Sequence, residues 1–426
     1  MENTGKKEKL FTNYEIFVIA ISAILQFTVI LDFMVLSPLG AILLEELDID
    51  TSEFGLVVSA YAFSAGASGL LAAGFADKFD RKKLLLFFYG GFIIGTTLCA
   101  LATSHNFLLG ARIVTGLFGG VIGSVGFAII TDLFRMEVRG RVMGFVQMAF
   151  AASQVLGIPI GLLLANHFGW HSPFWMIVGF SCIVFVVIVI YMKPVTAHLK
   201  VKSDKNPFLH LFHTISKPRY ILSFAATALL SIGGFMLMPF GSAFSTHNLG
   251  LTLDQLPLLY GVTGVFSMIA GPFAGRLCDK LGKYKVFFVG SVISMITIGI
   301  YNNMGITPLW LVMILSICLF MGITTRIISS SALVSGVPAM PDRGAFMSVN
   351  SSLQQMAGGI GAAVAGTIVV LSPGPTGKLE HYDTLGYVAI GAMMVNLGMM
   401  YFVNKEVMQQ PPVAKPSPKA EPVPEV

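Results

Sequence analysis

The sequence predicts an all-α polytopic membrane protein whose twelve transmembrane helices form two six-helix, pseudo-symmetric halves. Its 426 residues are 55% hydrophobic and only 12% charged, whereas an ordinary soluble domain carries about 25% charged residues. Apolar runs of about 20 residues, the length that a helix needs to cross the hydrocarbon core, recur along the whole chain. Several short motifs also recur 201–204 residues apart. Together these observations indicate a membrane protein with an internal repeat.

The twelve predicted spans are residues 15–41, 54–76, 84–103, 107–133, 142–165, 173–193, 219–244, 257–278, 285–304, 308–335, 344–371 and 385–403. Their even number places both termini on one side of the membrane. Of the 27 Lys and Arg residues, 24 flank the spans on that side, Lys378 alone lies on the other, and Arg112 and Arg326 lie within spans. Because cytoplasmic loops carry the excess of Lys and Arg, both termini are expected in the cytoplasm.

The predicted organisation follows from these loops. It comprises a cytoplasmic N-tail (1–14), a first half (15–193), a Lys-rich cytoplasmic linker (194–218), a second half (219–403) and a cytoplasmic tail (404–426). The tail is rich in proline and has few large apolar residues, so we expect it to be disordered. The expected location is a cell membrane, specifically a bacterial inner membrane.

Asp32 is the first candidate functional residue. It lies alone among apolar side chains in the first span, where a carboxylate is costly, and an ionisable residue at such a depth is functional by default. The alternative is an acid that only helps helices to pack. In the repeat Gly234 occupies the position of Asp32, whereas Phe33-Met34 and Phe235-Met236 correspond. The fold itself therefore does not require the charge.

The loop after the second span carries the clearest motif. Residues 73–83 read AGFADKFDRKK and residues 275–283 read GRLCDKLGK. Both copies resemble the signature loop of the major facilitator superfamily, Gly-x-x-x-Asp-Arg/Lys-x-Gly-Arg-Lys/Arg, although Ala73 and Asp80 replace two glycines in the first copy. The resemblance implies the major facilitator fold, with a substrate site between the halves, and transport by alternating access. It also implies a conformational gate in which Asp77 caps span 11 and Arg81 reaches Asp132, with Asp279 as the second-half counterpart of Asp77.

Two further stretches resemble members of that superfamily. In span 4, Arg112 and Gly116 match an Arg-x-x-x-Gly motif, and in span 5 residues 153–161 (SQVLGIPIG) loosely resemble the Gly/Pro motif of the antiporters through Gly157, Pro159 and Gly161. Asp32 followed by Pro38 and Gly40 is similar to the first-span signature of twelve-helix drug–proton antiporters, including sugar-efflux relatives. These resemblances imply an exporter, and we assign the three span-5 residues to the gate.

Arg112 is the expected partner of Asp32. At a rise of 1.5 Å per residue, Asp32 lies roughly 13 Å and Arg112 roughly 8 Å from the same ends of their spans, and the resemblance implies that both spans line the central cavity. We therefore expect an interaction, direct or through water, that couples proton binding to transport. Alternatively, backbone carbonyls neutralise each charge separately.

Arg326 lies deep in span 10, with no acidic residue in spans 7–12 to pair with it. Two interpretations stay open and have equal weight: structural pairing with helix-end carbonyls or Asp32, or attraction of an anionic group on the substrate. The other substrate-cavity candidates are apolar or amide side chains in the spans. They are Phe33, Met34, Tyr61, Gln147, Gln154, Phe235, Met236, Asn350 and Gln354. Individually, such residues more often pack helices together.

These features predict a secondary active transporter that exports a small organic molecule, such as a drug or a sugar, in exchange for protons. The alternative is proton-coupled uptake of an organic anion held by Arg326. Motifs of hydrolases, metalloenzymes and nucleotide-driven pumps are absent from the sequence, so no enzymatic activity, metal or cofactor is expected besides the proton as coupling ion. The expected partners are the substrate and the lipid bilayer. The basic clusters between apolar runs do not suggest nucleic acid, and the chain is expected to be a monomer.

Overall fold

A computed structural model describes residues 11–196, 199, 213–339, 342–372 and 377–409. Most of the N-tail and much of the 194–218 linker lie outside these ranges. So does the C-terminal tail beyond residue 409, for which disorder was predicted. The tail was predicted to begin at residue 404, but the last helix continues to Met408.

The first half consists of helices that follow the predicted spans closely. They are α1 (Asn13–Val35), α2 (Gly40–Glu46), α3 (Thr51–Phe75), α4 (Arg81–Ala100), α5 (His105–Leu133), α6 (Met136–Ala152), α7 (Ile158–Phe168) and α8 (Ser172–Tyr191). A 3₁₀ turn (Ala76–Lys78) follows α3, and a π-helical segment (Ser153–Gly157) joins α6 to α7.

The second half repeats this arrangement. Its helices are α9 (Pro218–Leu237), α10 (Gly241–His247), α11 (Leu256–Leu281), α12 (Lys283–Tyr301), α13 (Leu309–Val334), α14 (Arg343–Ile368) and α15 (Tyr382–Met408). A 3₁₀ turn (Leu253–Gln255) precedes α11. Strands β1 (Val370–Leu371) and β2 (Leu379–Glu380) pair antiparallel, with Val370 opposite Glu380 and Leu371 opposite Leu379.

Capping boxes start two of the helices in the first half. At the start of α1, the Glu15 N–H donates to Thr12 Oγ1 at 3.2 Å and the Thr12 N–H donates to Glu15 Oε2 at 2.7 Å. Asp50 and Glu53 make the same reciprocal bonds at the start of α3. These contacts satisfy N–H groups that have no partner within the helix, so local sequence sets where each helix begins.

Spans 1 and 7, each predicted as one helix, are instead divided at the same place in both halves. The first break lies between Val35 and Gly40 and contains Pro38, and the second lies between Leu237 and Gly241 and contains Pro239. Proline has no N–H to continue the helical hydrogen bonds, and its ring crowds the preceding turn. The prediction for span 11 also ran too far, because α14 ends at Ile368 and the chain enters β1.

Among the described residues, eleven helical segments are long and apolar enough to cross a membrane. The remaining span of the twelve-helix fold is α14, which is 26 residues long but rich in Ser, Asn, Gln and Gly. It packs against α3 of the first half and α9 of its own half. Because protein covers much of its surface, α14 needs fewer apolar side chains than a helix surrounded by lipid.

The two halves close against each other at one face. We call the face at which α1 begins and α15 ends the terminal face, and the opposite one, where α1 ends and α3 begins, the distal face. At the distal face the Ala41 N–H donates to Ser242 Oγ at 3.3 Å, and that hydroxyl donates to the Ser37 carbonyl at 3.2 Å. Nearby, the Thr51 hydroxyl donates to the Val369 carbonyl. These bonds tie the α1–α2 break and the start of α2 to α10, and α3 to the segment that follows α14.

Candidate functional site

A charge pair lies inside the first half, between α1 and α5. Arg112 Nη1 lies 2.8 Å from Asp32 Oδ2, and the same nitrogen donates to the Asp32 carbonyl oxygen at 3.2 Å. Both side chains are 0% exposed. Of the alternatives left by the sequence, the structure therefore has the direct contact. A buried pair of this kind is costly to desolvate and depends on further polar contacts.

Two neighbours supply those contacts, and sequence analysis assigned a polar role to neither. Thr96 Oγ1 on α4 donates to Asp32 Oδ1 at 3.1 Å, and the guanidinium carbon of Arg112 lies 4.5 Å from the centre of the Tyr61 ring on α3. Tyr61 was predicted only as part of an apolar cavity. Thr96 is one of several hydroxyl residues in apolar helices, so the sequence contains no signal that separates it from the others.

Glycines on α5 bring Tyr61 to this position. A Cβ at Gly116 would lie 2.5 Å from the Tyr61 carbonyl oxygen, and one at Gly119 would lie 2.6 Å from the Tyr61 hydroxyl oxygen. Real side chains do not tolerate such distances, so α3 can approach α5 this closely only because these positions lack a Cβ. Small residues at helix interfaces within membranes serve this purpose.

A Thr96→Val variant tests how much the Thr96 hydroxyl stabilises the Asp32–Arg112 pair. Valine keeps the shape of threonine but removes the hydrogen bond to Asp32, and a hydrogen bond to a charged group contributes about 1.5–3 kcal/mol. We expect a lower unfolding midpoint in detergent. Thr97→Val is the matched control, because among the described residues the Thr97 hydroxyl donates to the Ile93 carbonyl of its own helix and not to Asp32. Equal midpoints for the two variants would show that Thr96 does not support the pair.

The aromatic candidates come together across the two halves, whereas the methionines do not join them. Phe33 on α1 lies 5.2 Å from Tyr61 and 5.6 Å from Phe235 on α9, measured between ring centres. Met34 and Met236 are buried in the apolar core. Phe33 and Phe235 are half-buried, so part of each side chain remains accessible.

The amide candidates lie apart from the charge pair. Gln147 is exposed and Gln154 is half-buried, with its backbone beside Gly264 of α11. Asn350 and Gln354 are half-buried on α14, and Asn350 Oδ1 has no hydrogen-bond donor within the described residues. Their predicted contact with substrate stays a prediction.

Arg326 is buried within the second half. Its Nε donates to Ser291 Oγ at 3.2 Å, and its guanidinium carbon lies 5.7 Å from the centre of the Phe287 ring, both on α12. Within the described part of the chain, no carboxylate forms an ion pair with it, and Asp32 pairs with Arg112 instead. The guanidinium thus packs on α12 at 2% exposure. A role in binding an anionic substrate stays a prediction.

The signature loop forms one of its expected contacts at the terminal face. Arg81 Nε lies 3.0 Å from Asp132 Oδ2, and Arg81 Nη1 donates to the Ala76 carbonyl at 2.9 Å. This pair ties the start of α4 to the end of α5. The side chain of Asp77, and with it the predicted cap on α14, lies outside the described part of the structure. Asp279 is exposed.

The span-5 motif lies against α1, close to the charge pair. A Cβ at Gly157 would lie 2.5 Å from Leu31 Cδ1, and one at Gly161 would lie 2.9 Å from Val35 Cγ2. The π-helical segment ends at Gly157. Pro159 follows it and lies beside α11, since a Cβ added at Gly261 would lie 3.5 Å from Pro159 Cγ. Irregular helical turns of this kind often mark functional sites.

Comparisons with known proteins agree with this architecture. The family described as Major Facilitator Superfamily matches the chain twice, over residues 22–244 and 223–425. The uncharacterized MFS-type transporter YceJ of Bacillus subtilis is 29% identical over 264 residues, which are 62% of this chain and 67% of YceJ. The lincomycin resistance protein LmrB of the same organism is 26% identical over 394 residues, covering 77% of this chain and 80% of LmrB.

A solved structure shows the same fold. The crystal structure of a bacterial homolog of the human lysosomal transporter Spinster, inward-facing and unoccupied, superposes with a TM-score of 0.74 at 14% sequence identity, covering 95% of this chain and 100% of that one. With two family matches that together span almost the whole sequence, the chain belongs to the Major Facilitator Superfamily of membrane transporters.

Proposed function

We propose that this protein is a proton-coupled antiporter that exports a small organic molecule by alternating access. The observation that carries the proposal is the fully buried Asp32–Arg112 pair of the first half. The second half has Gly234 at the position that corresponds to Asp32 and so lacks this acid. A charge pair that the fold does not require, at the depth of a membrane span, is best explained by a function that uses the charge.

The pair can act as a proton-dependent switch. When Asp32 is ionised, Arg112 Nη1 holds both its carboxylate and its backbone carbonyl, and α1 is tied to α5. Burial disfavours the ionised carboxylate and the nearby cation favours it, so the two effects oppose each other. Proton binding would remove the attraction that orients Arg112 and would loosen α1 from α5, so that one half can rock against the other.

Orientation gives this switch a direction. If both termini are cytoplasmic, as the distribution of Lys and Arg favours, the distal face is the outer one, and the described conformation is closed to the outside with Asp32 in contact with Arg112. We place the protein in a bacterial inner membrane as a monomer. The names of LmrB and of multidrug resistance relatives support a drug-like substrate.

Substrate-driven proton movement in proteoliposomes tests the proposal. Purified protein is reconstituted with a pH-sensitive dye in the lumen, and lincomycin and a panel of lipophilic drugs are added outside without an imposed pH gradient. For an antiporter, entry of substrate drives protons out and the lumen becomes alkaline. This sign is independent of the orientation of the protein in the liposome.

We expect alkalinisation with the wild type and its loss in Asp32→Asn, which keeps the size of the side chain but cannot ionise. Asp254→Asn is the matched control, since Asp254 is exposed in the 3₁₀ turn before α11 at the distal face. Acidification of the lumen would indicate the alternative, proton-coupled uptake. Alkalinisation that persists in Asp32→Asn would show that protons are coupled elsewhere.

A further inference from the structure

The charge pair is shut off from the space between the halves. Asp32 and Arg112 are 0% exposed and Tyr61 is 1% exposed. The titratable groups that face Asp32 are Arg112 from α5, Tyr61 from α3 and Cys99 from α4, and the Cys99 thiol is also fully buried. A substrate between the halves therefore cannot touch the carboxylate in this conformation. Coupling needs a physical connection from the pair to the second half.

Three aromatic rings provide a continuous connection. Arg112 lies against Tyr61, with its guanidinium carbon 4.5 Å from the ring centre. Tyr61 lies 5.2 Å from Phe33, and Phe33 lies 5.6 Å from Phe235 of the second half. All three separations are within the range of favourable cation–π and aromatic contacts. The chain of contacts thus runs from the cation of the pair to α9.

Tyr61 and Phe235, the two ends of this chain of rings, pack directly against neighbouring helices. Tyr61 is held by the close approach of α5 at Gly116 and Gly119, as described above. At the other end, a Cβ at Gly358 would lie 3.0 Å from the ring of Phe235, so that ring rests directly on α14. Closely packed side chains transmit a displacement to their neighbours because no void absorbs it.

We propose, on the basis of the proposed function, that Tyr61, Phe33 and Phe235 are positioning residues. They transmit the charge state of the Asp32–Arg112 pair to the interface between the halves. Protonation of Asp32 removes the negative charge that attracts Arg112 Nη1 to the carboxylate, and Arg112 then shifts against the Tyr61 ring. Tyr61 displaces Phe33, and Phe33 displaces Phe235 on α9. A substrate in contact with the accessible edges of Phe33 and Phe235 acts on the same chain from the other end.

Distances between spin labels at the terminal face test this inference without a known substrate. Lys83→Cys on α4 and Lys285→Cys on α12 are exposed positions 202 residues apart in the repeat. They carry the labels in a full-length protein whose four native cysteines are replaced by serine or alanine. Distances are measured in lipid nanodiscs across a pH series, and infrared difference spectra, assigned with Asp32→Asn, report whether Asp32 still binds a proton.

The expected result is a pH-driven change of distance in the wild type that is absent in Asp32→Asn. Phe235→Leu and Phe33→Leu should lose most of this change although the infrared band of protonated Asp32 still titrates. Tyr61→Phe, which keeps the ring, should retain the change. Phe240→Leu is the matched control, because Phe240 also contacts a ring of the other half, Phe54 at 5.7 Å, but lies outside the chain of contacts from Arg112.

Two results would overturn the inference while the proposed function stands: a wild-type response in both Phe235→Leu and Phe33→Leu, or an equal loss in Phe240→Leu. The second would mean that any cross-half aromatic contact is required for packing alone. If neither the distance between the spin labels nor the infrared band of Asp32 changed with pH in the wild type, the proposed function would be overturned, and this inference with it.

Discussion

Replacing Arg112 by alanine should lower the free energy of unfolding by about 3–5 kcal/mol, the usual effect of breaking a buried ion pair from one side. The variant leaves the Asp32 carboxylate fully buried with Thr96 as its remaining hydrogen-bond donor within the described residues, and it removes the cation that lies against Tyr61. The measurement is the unfolding midpoint in detergent, together with a denaturant titration of the purified protein.

A second ion pair of the same chemistry serves as the control. Arg219 Nε lies 3.0 Å from Glu406 Oε1, but these side chains are 46% and 27% exposed, and an exposed pair contributes about 0–1 kcal/mol. Arg219→Ala should therefore be nearly neutral. The double variant Asp32→Asn/Arg112→Gln should recover much of the lost stability, because neither side leaves an unpaired charge. If Arg112→Ala were as mild as Arg219→Ala, the pair would not stabilise the fold.

Gly366→Ala is expected to open the distal face. A Cβ at this position of α14 would lie 2.6 Å from the Thr51 carbonyl oxygen of α3, and backbone cannot yield as a flexible side chain can. Overpacking of this kind costs about 1–3 kcal/mol, which corresponds to roughly a 5- to 150-fold shift away from the closed arrangement. The same contact includes the hydrogen bond from Thr51 to Val369.

Labelling of a cysteine in the closed contact measures the opening. Ser242→Cys places a thiol where Ser242, which is 0% exposed, now bonds to Ser37 and Ala41. A membrane-impermeant maleimide should modify it faster when Gly366→Ala is present, in a background without the exposed Cys182 and Cys318. Gly391→Ala is the control, since a Cβ there meets open space. Equal labelling rates in the two variants would contradict the expectation.

Much of the architecture could be predicted because it depends on properties that reside in short stretches of sequence. The hydrocarbon thickness sets the length of an apolar run, so the number of spans and most of their positions followed from the apolar runs alone. The repeat placed Pro38 and Pro239 at equivalent positions, although the helix break that each causes was missed within a longer apolar run. The span of α14 was predicted on the same basis as the others, despite its polar residues.

The candidate site was only partly predictable. Depth along a helix can be counted from sequence, and this made Arg112 the expected partner of Asp32. The direction of a side chain around the helix and the identity of its neighbours depend on how helices cross, which no local pattern specifies. Thr96 therefore passed unnoticed, and Tyr61 was assigned to a cavity although it lies against the charge pair.

For Arg326 too, depth along the helix could be counted from the sequence, but the contacts of the side chain could not be predicted. By itself, the sequence determined the membrane class, the two-half repeat and the depth of each intramembrane charge, since these follow from hydropathy and helical rise. Only the tertiary structure decided that Arg112 binds Asp32, that Arg326 packs on α12, and that three rings connect the charge pair to the second half. Those contacts join residues tens to hundreds of positions apart, and helix packing alone brings them together.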